Sequence, residues 1–140
     1  MPGIDYSKLE QSLRRLIEQH HNHLAADEAL SRLDREARAE SVIQRFETCY
    51  DCLWKVMKRY LIQGLGLADL PNSPRPLFRI AAENRVFESP VEQWLRYVEA
   101  RVDTAHDYDG KKARACLELI PDFITDVISV YETMTGNAWE

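Results

Sequence analysis

The sequence predicts an all-α fold: an up-and-down bundle of about five helices forming one domain over residues 1–140. Three observations lead there. Apolar residues recur at three- and four-residue steps along most of the chain. No stretch alternates apolar and polar residues as a half-buried strand would, and there is no internal repeat. Two glycines and three prolines fall together in "GLGLADLPNSPRP", which reads as the main loop.

Each helix has its own signature. Tyr6, Leu9, Leu13, Leu16, Ile17, His20 and Leu24 make the stripe of a first amphipathic helix, with Ser7 and Glu10 spaced for a capping box. The charged "AADEALSRLDREARAE" that follows is either a loop or a helical extension. A second long helix reaches about Gln63 through Val42, Phe46, Cys49, Leu53, Val56, Met57 and Tyr60. Pro74 after Ser73 is a first-turn proline and opens a short helix to about Arg85. Ser89-Pro90-Val91-Glu92 signals a fourth start with a capping box. That helix carries Val91, Trp94, Leu95, Val98, Val102 and Ala105 as one apolar face. Trp94, Leu95, Val98 and Val102 offer more apolar surface than one helix needs for its own bundle, so a homodimer seam is expected there. Asp109-Gly110 marks the stop, and a last helix follows from Ala113 to Met134, with Pro121 expected to kink or restart it.

Composition bounds the function. With 140 residues, 45% hydrophobic and 29% charged, the chain can bury one core and is too apolar for a disordered segment. No apolar run approaches the ~20 residues of a membrane span, and the N-terminus lacks the basic start and apolar run of a signal peptide, so a cytoplasmic protein is expected. Three cysteines, an odd number, fit a reducing compartment. Cys49 and Cys52 form a C-x-x-C inside an apolar helix with no strand before it, so core packing is preferred to redox chemistry. The net charge of −5 is uneven: residues 55–114 carry eleven basic and eight acidic groups, whereas residues 115–140 carry five acidic and none basic. A locally basic middle leaves nucleic acid open as a partner.

Three constellations invite chemistry. Glu18 and His21, beside His20 and His23, have the Glu-x-x-His spacing of a bundle metal site, with Asp103 and His106 a looser copy. Glu18, however, stands nearly opposite the apolar stripe that would face a core metal, and only His20 lies on it, so no metal or other cofactor is expected. Lys55, Lys58 and Arg59, with Arg75, Arg79 and Arg85, are either a solvated face or a track for phosphates. Arg101 and His106 are the sharper pair, a fixed cation with a group that titrates near neutrality. On a continuous helix they point about 140° apart. They converge only if the helix ends between them or if two copies meet across a dimer.

"VIQRFETCYDCLWKVMKRYL" (residues 42–61), "SPRP" and "RVDTAHDY" follow one another in this order, and together they resemble the nucleotidyltransferase substrate-binding proteins of the HEPN superfamily, the HepT-like subunits. The resemblance covers about Ser7 to Tyr131. It implies a homodimeric helical bundle partnered with a minimal nucleotidyltransferase in a toxin–antitoxin type system. It also implies a metal-independent ribonuclease site on Arg101 and His106 and an AMP acceptor at Tyr108, so RNA is an expected ligand. Where the family carries a polar residue, most often asparagine, after the arginine, this chain has Val102, and Asp103 is the nearest polar support. The leading expectation is therefore a ribonuclease toxin, and the alternative is a non-catalytic subunit that binds substrate for its nucleotidyltransferase.

Overall fold

A computed structural model describes residues 3–26, 29–106 (backbone only at position 106) and 110–140. The described residues form five α-helices: α1 (Ser7–Leu24), α2 (Arg32–Arg59), α3 (Pro74–Glu83), α4 (Val91–His106) and α5 (Gly110–Thr135). A π-helical segment, Tyr60–Gly64, extends α2. There is no strand among the described residues, as the periodicity requires. No helix there is long and apolar enough to cross a membrane.

The helix ends follow capping chemistry, with two substitutions of partner. Ser31 starts α2, its side chain accepting from the Asp34 N–H at 3.1 Å, and Asp34 adds negative charge to the first turn. The charged segment is thus helical from Arg32 onward. At α1 the expected Ser7–Glu10 box does not form. Asp5 Oδ1 accepts from both the Ser7 N–H (2.9 Å) and the Ser7 hydroxyl (2.6 Å). Glu10 instead accepts from the Tyr131 hydroxyl at 2.9 Å, tying α1 to α5. Ser89 likewise accepts from the Trp94 indole N–H at 2.8 Å rather than capping α4. In both cases a side-chain donor from the core takes the acceptor that a helix end would have used.

α3 ends in a Schellman arrangement. The Val86 N–H reaches the Ala81 carbonyl (3.0 Å), and the Arg85 N–H reaches that of Ala82 (3.1 Å). Arg85 sits at φ 56°, where glycine is usual, while Val86 is buried. α5 ends on Gly136 at φ 75°, and it runs through Pro121 as one element instead of restarting.

α2 is the central element and packs against all the others. α1 lies antiparallel to it, pinned by Arg45 Nη1 donating to the Arg15 carbonyl (2.8 Å) and Arg38 Nη1 to that of Asn22 (2.9 Å). On the other side the core is built around a closed circuit of aromatic contacts. Phe46 meets Tyr50, Tyr50 meets Phe78, Phe78 stacks on Trp94, Trp94 meets Tyr97, Tyr97 meets Phe123, and Phe123 returns to Phe46, with centroids 4.8 to 6.1 Å apart. This circuit draws on α2, α3, α4 and α5 and fixes how α4 lies against α2.

It also corrects the expected face of α4. Trp94 and Val98 are consumed by the chain's own core, together with Tyr97 and Ala100. Val102, expected on the core stripe, is 45% exposed, and Ala105 is exposed beside it. The seam expected for a homodimer is therefore reduced to Val102, Ala105 and the partly covered Leu95. The reason is rotation about the α4 axis: the aromatic circuit turns Tyr97 inward, which carries Val102 outward.

Candidate functional site

The rotation that exposes Val102 turns Arg101 toward α2. There Glu47 and Asp51, four residues apart and so on one helix face, meet it. Arg101 Nε and Nη2 donate to Asp51 Oδ1 and Oδ2 at 3.3 and 3.2 Å, a side-on bidentate pair, and Nη1 donates to Glu47 Oε2 at 3.0 Å. The Thr104 hydroxyl, one turn along α4, donates to the same Glu47 oxygen at 2.9 Å. Arg101 and Glu47 keep only 27% and 21% of their side-chain surface, while Asp51 keeps 40%. The hydrogen bonds it donates to Asp51 hold the Arg101 guanidinium above its ordinary pKa, so it is charged at every working pH. Locally, one cation stands between two carboxylates.

A groove of about 440 Å³ opens beside this cluster, lined by Tyr50, Trp54, Ser73, Pro74, Arg75 and Val102 among others. Arg75 at its edge pairs with Glu99 at 3.1 Å. Burial, with the Asp51 charge added, pushes the Tyr50 hydroxyl well above the usual phenol range, so it stays neutral. Asp103, the expected support, is half-buried and makes no hydrogen bond to Arg101 among the described residues. Glu47 and Asp51, absent from the candidates drawn from the sequence, are the groups that touch Arg101. Their spacing of four was the available signal, but an acidic pair on a helix face is commonly just solvated.

Of the other members of the motif, the backbone at position 106 still belongs to α4. The helix does not end between Arg101 and His106, so positions 101 and 106 stand about 140° apart around its axis. The His106 side chain and Tyr108 lie outside the described residues.

The remaining candidates resolve more simply. Glu18 and His21 are exposed on α1, and no three potential metal ligands gather among the described residues. His20 is buried, and that burial, with His21 and His23 nearby, lowers its pKa. Cys49 and Cys116 are core residues whose thiols burial pushes up to about 12, while Cys52 is half-buried. Of the basic residues, Lys58 donates to Asn72 Oδ1 at 3.2 Å and Arg75 is paired, whereas Lys55 and Arg59 share an exposed face of α2.

Fold and site together define a helical bundle whose marked feature is an arginine held between acids beside an open groove. A family model described as "nucleotidyltransferase substrate binding protein like" matches residues 4–136, and the chain belongs to that family. It is also similar to a protein from Thermus thermophilus known by its crystal structure, with a TM-score of 0.74 and 26% identity over 91% of this chain and 98% of that one. A comparison with curated proteins gave no match.

Proposed function

We propose that this chain is the helical, substrate-binding subunit of a two-component system whose other member is a minimal nucleotidyltransferase, and that its resting state is not an assembled nuclease. The observation that carries this reading is the arginine clamp. An RNA phosphate approaching Arg101 must displace Glu47 and Asp51, and two carboxylates at that distance repel it. The family supports the partnership, and the groove beside Arg101 gives a transferase or its substrate a place to engage.

A second reading is kept because the R-x-x-x-x-H-x-Y order sits at the end of α4. In it the chain is a cytoplasmic ribonuclease toxin acting as a homodimer. Val102 and Ala105 are exposed beside Arg101; a second copy seated on them would have to bring its position 106 toward this chain's Arg101 for the pair to act together. His106 would take the proton from a ribose 2′-OH, and the 2′-oxygen would bond to phosphorus as the P–O5′ bond breaks, the 5′-oxygen leaving as a hydroxyl protonated by water. Arg101, released from its acids, would stabilise the charge on the attacked phosphate. Transfer of AMP from ATP to the Tyr108 hydroxyl by the transferase, with release of pyrophosphate, would silence the site.

One assay separates the two. The purified chain is incubated with RNA in EDTA and the ends are analysed. The binding-subunit reading predicts intact RNA. Cleavage to 2′,3′-cyclic phosphate ends that is lost in both Arg101→Ala and His106→Ala establishes the ribonuclease.

A further inference from the structure

Between α1 and α2 two adjoining grooves form one trough on the flank of α2 that faces away from α3. One, of about 340 Å³, is lined by Ser12, Arg15, Ser41, Gln44, Arg45 and Thr48. The other, of about 380 Å³, shares Thr48 and continues past Lys8, Cys52, Lys55 and Arg59. The stripe from Ser41 to Arg59 spans about 27 Å of helix at 1.5 Å per residue.

Five cations line this trough: Lys8, Arg15, Arg45, Lys55 and Arg59. None has an ion-pair partner among the described residues. Lys8, Arg15, Lys55 and Arg59 are exposed, and Arg45 spends only one nitrogen, on the Arg15 carbonyl. Two carboxylates share the trough and both are already engaged, Asp5 by Ser7 and Asp51 by Arg101. Lys8 and Arg59 also feel the Asp5 charge, which tempers that end without pairing it. In a chain of net charge −5, five cations without ion-pair partners among the described residues, strung along α1 and α2, are a local reversal of sign. The Ser41 hydroxyl and the Gln44 amide stand between them, groups that hydrogen-bond phosphate oxygens, while the Thr48 hydroxyl donates to the Gln44 carbonyl at 3.2 Å.

We propose that this trough binds the sugar–phosphate backbone of a single-stranded nucleic acid. The spacing favours an extended polyanion over a single phosphate, because the cations are strung along the helices and do not converge on a point. The length suits the smallest single-strand sites, on the order of 4 nucleotides. No aromatic side chain lines either groove, so the binding is electrostatic and insensitive to base sequence. Asp51 lines this trough and the Arg101 groove alike, so the two grooves adjoin with that carboxylate at their junction. The proposal stands independently of any chemistry at Arg101.

The test is fluorescence anisotropy of the full chain, in EDTA, with a short labelled oligouridylate and with its deoxy counterpart. Five phosphate contacts give a slope of log K against log salt of about −3.5, roughly a hundredfold loss of affinity from 50 to 200 mM salt. Arg15→Gln/Lys55→Gln/Arg59→Gln should weaken binding at least tenfold and bring the slope to about −1.4. The Arg→Lys exchange at positions 15 and 59 should retain it, as should the control Lys58→Gln/Arg79→Gln. Circular dichroism verifies the fold of each variant. Equal binding of both strands supports a backbone site, and preference for the ribo strand supports one that also reads the 2′-OH. Binding that survives the triple change, or no binding by the wild type, overturns the proposal. So does loss of complex with the nucleotidyltransferase in the triple variant while strand binding is unmoved, which would make the trough a protein dock.

Discussion

Replacing Arg101 by alanine tests the clamp directly, and its cost can be worked from the geometry. The change removes a bidentate pair to Asp51 and a third hydrogen bond to Glu47, which is 21% exposed in the intact cluster and is left with Thr104 as its remaining partner among the described residues. Exposed ion pairs contribute about 0–1 kcal/mol, whereas stranding one partner of a fully buried pair costs about 3–5. With Arg101 at 27% and Asp51 at 40% exposure the site lies between these limits, at about 2 kcal/mol. For a chain of this size that lowers Tm by roughly 6–8 °C. The measurement is urea unfolding followed by circular dichroism, at low and at high salt. Much of the loss should persist at high salt, because screening acts weakly on partly buried charges. The triple change Glu47→Gln/Asp51→Asn/Arg101→Met should recover most of it, since no charge is then stranded. A loss under about 0.5 kcal/mol for Arg101→Ala would show that the guanidinium is not held as described and is free for a ligand.

Three further outcomes follow from the same geometry. Arg85→Gly should stabilise the chain by up to about 1 kcal/mol, because glycine adopts the left-handed cap of α3 without the Cβ penalty; an unchanged or lower Tm contradicts that cap. His20 has a depressed folded pKa, so the unfolded chain binds the extra proton, and the stability it contributes is present above its unfolded pKa of about 6.5 and lost as pH falls below it. His20→Phe should flatten the stability profile between pH 7 and 5, and an unchanged profile refutes the assignment. Thiol labelling of the native protein should modify Cys52 alone, with Cys49 and Cys116 reacting only on unfolding, because both are buried and their thiolates suppressed; rapid native labelling of all three would contradict the core.

The helices were legible because their apolar spacing is nearly unbroken and their starts carry Ser and Pro signals. Rotation of α4 was not legible. Val91, Trp94, Leu95, Val98 and Val102 make as regular a stripe as the buried Trp94, Tyr97, Val98 and Thr104, and only contacts to Phe78 and Phe123 from other helices choose between them. Glu47 and Asp51 illustrate a second limit. Helical spacing places both on one face, but nothing local to α2 names an arginine fifty residues away as what they face. The capping errors have the same origin. Ser7–Glu10 and Ser89–Glu92 satisfy the local rule, yet Tyr131 and Trp94, donors set by tertiary packing, draw Glu10 and Ser89 away.

The most direct test of the proposed partnership is co-expression of the chain with a minimal nucleotidyltransferase as its proposed partner, followed by affinity purification and intact-mass and peptide analysis. A stable complex of the two proteins is the expected result. AMP mass on the peptide carrying Tyr108 would add the modification arm of the toxin reading, and an unmodified peptide within an intact complex would favour a plain binding role. Failure of the two proteins to associate at micromolar concentration, with both folded, would contradict the central claim.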